Sequence, residues 1–142
     1  MTAKKRPASL DGVTYKVRTP VSKEAFYVTI NDITGEDGKK RPYEIFINTK
    51  NLQHYSWIVA ITRLCSAIFR QEQDPSFVIE ELSSIYDPGG GYFSEGEFIP
   101  SLPAELGRVI ARHLTALGLY KAKRKKDEDK PEAVKTDKGK DT

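Results

Sequence analysis

Three stretches in the first 48 residues alternate apolar and polar side chains with a period of two, and the stretch after them is apolar at nearly every position. Val13, Tyr15 and Val17 alternate with Thr14, Lys16 and Arg18. Phe26, Val28 and Ile30 alternate with Tyr27, Thr29 and Asn31, and Tyr43, Ile45 and Ile47 with Glu44, Phe46 and Asn48. Such alternation marks a strand with one buried face. Three successive strands with short links predict an antiparallel meander. The link 32–40, rich in glycine and charge, predicts a turn, and Pro42 is tolerated at a strand entrance where no ladder donor is needed.

From residue 53 to 70 the period changes to that of a helix. Trp57, Ile58, Ile61, Leu64, Cys65 and Ile68 fall on helical spacing, while Val59, Ala60, Ala67 and Phe69 fill much of the remaining circumference. A helix of this kind needs cover on most sides, which predicts a central helix lying on the sheet. Asp74 and Pro75 predict the N-cap and first position of a shorter helix carrying Phe77, Val78, Glu81, Leu82 and Ile85. After a loop at 88–96, Ser101 caps a last helix with Leu102, Leu106, Val109, Ile110, His113, Leu114 and Leu117 on its core side. Gly118 is its natural terminator. The predicted fold class is α+β: a three-stranded antiparallel sheet covered on one face by about three helices.

Residues 1–11 are polar and expected to be mobile, residues 12–120 form one domain, and residues 121–142 form a Lys/Asp/Glu-rich tail expected to be disordered. From Lys121 onward nine Lys/Arg stand against six Asp/Glu, which accounts for the whole net charge of +3. The body is therefore neutral, which argues against a protein that wraps a nucleic-acid duplex. One cysteine excludes an intramolecular disulfide and a Cys-rich zinc site. No apolar run is long enough to span a bilayer, and the N-terminus has no apolar segment of a signal peptide, so the cytoplasm is the expected compartment.

Few residues suggest chemistry. Gly89, Gly90 and Gly91 are followed by Tyr92 and Phe93, not by the Gly-Lys-Ser/Thr and helix that a phosphate loop requires. Cys65 lies in the most apolar segment and reads as core. His54 and His113 lack carboxylates at helical spacing and read as satisfied side chains, not metal ligands. Glu80 and Glu81 point in different directions on a helix, and Glu36 and Asp37 lie in a turn. No catalytic or metal-ligating set is expected. The polar face of the sheet is more suggestive: Lys16, Arg18, Tyr27, Thr29 and Phe46 share it with Glu44. Basic residues interleaved with aromatics can stack and neutralise a single strand, whereas a solvated or protein-docking face needs no such ligand. Together with Tyr92 and Phe93 of the glycine-rich loop, Lys16, Arg18, Tyr27 and Phe46 are the candidate partner contacts. An enzymatic site around Tyr92, Phe93 and Arg63 is the remaining alternative.

The order of these segments resembles one family. The run from Gly12 to Pro20 looks like its opening strand, and Tyr27–Asn31 and Arg41–Ile47 look like the next two. Trp57–Leu64 and Phe77–Leu82 resemble its first helices, and Asp87–Phe93 and Ile99–Pro103 its loop and final helix entrance. The family comprises the small TSCPD-type domains found at or near the C-terminal end of cobalamin-dependent ribonucleotide reductases, named for a Thr-Ser-Cys-Pro-Asp motif. This chain lacks that motif and the paired cysteines that pass reducing equivalents. The resemblance implies a non-catalytic accessory role in deoxyribonucleotide synthesis, docking on a large catalytic subunit that would carry the adenosylcobalamin; no cofactor is expected in this chain. The alternative is an adaptor or regulator that binds nucleotide or single-stranded nucleic acid through the sheet face and basic tail.

Overall fold

The computed structural model describes residues 5–20, 24–50, 53–71 and 73–121; the tail expected to be disordered lies, from residue 122 onward, outside the described residues. Strands β1 (Asp11–Val17), β2 (Phe26–Thr34) and β3 (Lys40–Asn48) form an antiparallel sheet in the order β1-β2-β3. Helices α1 (Tyr55–Arg70), α2 (Phe77–Ser83) and α3 (Leu102–Ala116) cover one face of it, and strands β4 (Tyr92–Ser94) and β5 (Glu97–Ile99) form a separate hairpin before α3. The α+β meander read from the alternation is the observed fold.

The core joins Val17, Val28, Ile30 and Ile45 of the sheet to Cys65 and Phe69 of α1, Val78, Ile79 and Leu82 of α2, and Leu106, Val109, Ile110 and Leu114 of α3. Complete burial of a side chain such as Ile110 or Leu114 stabilises the fold by roughly 1.5–3 kcal/mol. Helices α2 and α3 approach closely because Gly107 has no side chain. A Cβ there would stand 3.1 Å from Ser83 Oγ and 3.2 Å from Leu82 Cβ.

Local chemistry sets the element boundaries. The Ser101 hydroxyl accepts from Ala104 N–H and caps α3, and Gly118 follows the helix at φ 78°. Arg41 closes the C-terminal end of α1 by donating from Nη2 to the carbonyls of Gln71 (2.8 Å) and Gln73 (3.0 Å). In β3 the register slips, so that Asn31 faces Glu44 while Asp32 faces Pro42. This bulge leaves Tyr43 as the extra residue, and Pro42, Tyr43, Glu44 and Ile45 are all buried. The free edge of β3 is blunted at its centre. Ser66 Oγ accepts from Ile45 N–H (3.0 Å) and donates to the Ile45 carbonyl (3.2 Å).

Several expectations are corrected. Helix α1 is not enclosed: it lies along β3, so only one side meets the sheet, and the residues it buries are Thr62, Cys65, Ser66 and Phe69. Trp57 and Leu64, expected in the core, are 71% and 66% exposed. In α2 the buried stripe is Val78, Ile79 and Leu82, leaving Phe77 exposed, and the helix ends before Ile85, which is also exposed; Asp74 accepts from Ser76 N–H and the helix begins two residues past Pro75. Leu102 is exposed at the start of α3, and Val13 lies beyond the helical cover. The stretch 88–96 expected as a loop contains β4, and β5 follows it directly. They are joined by Glu95 and Gly96, both at positive φ (53° and 79°), the conformation of a two-residue hairpin turn. The segment before β1, expected to be mobile, is tied to the sheet by Arg6.

Candidate functional site

Three regions bring polar or exposed aromatic groups together. The first is internal. In β1 and β2 the core-facing register places Tyr15 and Asp32 inward, and α3 presents His113 to both. His113 Nε2 lies 2.8 Å from Asp32 Oδ1, and Nδ1 lies 2.7 Å from the Tyr15 hydroxyl. A neutral imidazole satisfies both contacts, donating from Nε2 to the carboxylate and accepting at Nδ1 from the phenol. His113 is only 2% exposed. Burial raises the Tyr15 phenol above its ordinary pKa and the charge of Asp32 adds to this, while Arg112 opposes it. The phenol is thus held protonated, and the arrangement ties β1, β2 and α3 together without activating a nucleophile. His113 is the satisfied core histidine expected from its place on the buried stripe. The signal for its partner is in the sequence: continuing the alternation of Phe26, Val28 and Ile30 one step puts Asp32 on the same face.

The second region is the outer face of the sheet. Lys16 pairs with Tyr27 and Thr29 with Phe46 in the strand register, and Lys16, Arg18, Tyr27 and Phe46 are all exposed. Four of the six candidate contact residues therefore lie on or beside one face. Glu44 shares the face but is sealed. It accepts from Arg6 Nε (2.9 Å) and Nη2 (2.8 Å) and from Asn31 Nδ2 (2.7 Å). The Arg6 hydrogen bond, above all, holds the Glu44 carboxyl below the usual carboxylate range, against the opposing effect of burial. The face thus has a closed end under Arg6 and an open end at Lys16, Tyr27 and Phe46.

Tyr92 and Phe93 part company. Phe93 is exposed and packs edge-on against Phe98, with centroids 5.3 Å apart. Tyr92 is buried, and its hydroxyl donates to Glu105 Oε1 at 3.0 Å. It is therefore core of the hairpin and not a surface contact. Burial, then the adjacent Glu105 carboxylate, pushes the Tyr92 phenol well above its ordinary value. Arg108 bridges Glu95, Glu97 and Glu105 and holds the hairpin on α3. Arg63 lies elsewhere, on α1 beside β3, so the enzymatic grouping of Tyr92, Phe93 and Arg63 is not assembled. Cys65 is buried, which pushes its thiol up to about 11, so it is no nucleophile at neutral pH.

The third region was missed by the sequence reading. On the outside of α1, Trp57, Ala60, Leu64 and Ala67 follow helical spacing and are all exposed. One flank of this stripe borders a small apolar pocket of about 90 Å³ between Ile58 and Ile61 of α1, Leu102 and Leu106 of α3, and Phe26 and Ile47 of the sheet. The other flank borders an open groove of about 550 Å³ along β3, lined by Phe46, Tyr55, Val59, Arg63 and Arg70. The available signal was quantitative: the helix carries more apolar circumference than one sheet can cover.

Among the described residues no group of three His, Cys, Asp or Glu side chains is placed to hold a metal ion, and no helix is long and apolar enough to cross a membrane. No curated protein and no solved structure matches the chain. A family model does. It matches residues 1–114, most of the chain and nearly all of its folded body, and it describes a domain found in ribonucleotide reductase-related proteins. With its meander, its helical cover and this match, the chain belongs to the TSCPD domain family.

Proposed function

We propose that the chain is a non-catalytic accessory module of a cobalamin-dependent ribonucleotide reductase, docking on the large catalytic subunit through the outer face of α1. The observation that carries this reading is the exposure of Trp57 and Leu64 on a helix whose composition demands cover. Contiguous apolar surface of this kind marks an interaction site in a soluble domain. The non-catalytic part rests on Cys65: the sole thiol is buried, so the chain supplies no accessible pair for a dithiol relay. The adenosylcobalamin then belongs to the large subunit, and the cytoplasm is the compartment that fits. Lys16, Arg18, Tyr27, Phe46 and Phe93 are secondary contacts in this reading.

Purified chain and the large subunit of the same organism should co-elute on size exclusion. Leu64→Glu should abolish the complex while leaving the denaturant midpoint of the free chain unchanged. Lack of association, or association indifferent to Leu64→Glu, sinks the reading. The convergence of Lys16, Arg18, Tyr27 and Phe46 on one open face favours a second reading, binding of single-stranded nucleic acid. That reading requires oligonucleotide affinity that falls steeply with salt and is lost in Lys16→Glu/Phe46→Ala.

A further inference from the structure

We infer that, granted docking through α1, the element of the partner seated on it is an amphipathic helix with one acidic flank. Three features of the surface select this occupant. First, the centre of the β3 edge cannot accept a strand there, because Ser66 already fills the N–H and carbonyl of Ile45. The partner must therefore bring side chains to this groove, not backbone. Second, the stripe of Trp57, Ala60, Leu64 and Ala67 has bulky residues one helical repeat of seven apart, with alanines between them that let another helix approach. The pocket beside Ile58 and Ile61, about 90 Å³, takes one apolar side chain at the edge of that contact.

Third, the charge is one-sided. Helix α1 contains no Asp or Glu in its 16 residues, and its only charged side chains, Arg63 and Arg70, both border the β3 groove. A helix lying on the stripe thus meets an apolar pocket along one flank and arginine along the other, and acidic residues on that second flank complement it. The same asymmetry disfavours a second copy of this chain, since two α1 helices would bring together cations with no acid between them.

The test selects a display library of helical peptides on the full chain, with leucine fixed on one face and Glu, Gln and Lys randomised on the flanks. Recovered peptides should carry Glu on one flank and shift the emission of Trp57, the single tryptophan, to shorter wavelength on binding. They should lose roughly tenfold in affinity on Arg63→Glu, where rim attraction becomes repulsion. Selection on Arg63→Glu should return Lys in place of Glu. Recovery of peptides without charge bias, equal binding to Arg63→Glu, or no binder at all overturns the inference. Docking itself stands in those cases if the large subunit still releases Leu64→Glu. Self-association of the free chain with a blue-shifted Trp57 overturns it in favour of a second copy.

Discussion

Helices α1 and α3 have nearly the same length, yet they distribute burial in opposite ways. The more apolar helix, α1, buries Thr62, Cys65, Ser66 and Phe69 and turns Trp57 and Leu64 to solvent. The less apolar one, α3, buries Leu106, Val109, Ile110 and Leu114 and also takes Glu105 and His113 inside, each with a partner. Helix α3 is complete within the chain: its inner face is filled and its buried polar groups are hydrogen-bonded. Helix α1 is complete only toward the sheet. The contrast separates what holds the domain together from what it offers to other molecules.

Substitutions can break that contrast, and the largest effect is expected inside α3. His113→Ala removes the donor to the buried Asp32 carboxylate and should cost about 3 kcal/mol in denaturant unfolding. A loss below about 1 kcal/mol would mean that the Tyr15–His113–Asp32 tie contributes little to α3 docking. Next, Ser66→Ala strips Ile45 of both partners at the β3 edge and should cost about 2 kcal/mol, with increased self-association on light scattering. At the tethered N-terminal segment the effect is smaller and depends on pH. The folded Glu44 pKa is depressed, so its contribution is complete above the ordinary carboxylate value of about 4.3 and is lost as pH falls through the folded value. Arg6→Ala should therefore be less stable than the parent at neutral pH, and the two curves should converge in acid. Parallel curves down to pH 2–3 would show that Arg6 does not set the Glu44 pKa. Smallest of all, Trp57→Ala and Leu64→Ala should change the stability of the free chain by no more than about 0.5 kcal/mol. A larger loss would place these side chains in a packed core.

Much of this was legible in the sequence. Alternation from Val13 to Asn48 yields the meander, and the α3 stripe from Leu106 to Leu114 is read correctly because its period matches the surface it meets. Helix α1 departs from the expected enclosure because periodicity reports how much surface a helix needs to bury, not which molecule buries it. The β4–β5 hairpin is not legible because Glu95-Gly96 lacks the Asn-Gly signal of such turns, and without the hairpin nothing in the sequence turns Tyr92 inward. Burial of Glu44 depends on Arg6, 38 positions away, and on a bulge that no local pattern announces.

The Ser66 hydroxyl on Ile45 also gives the sheet a valency. With the centre of β3 closed, edge-to-edge growth is left to β1, which among the described residues has β2 as its one strand neighbour. Two chains meeting through β1 would use up both open edges, so such growth terminates at a pair and does not propagate into a fibre.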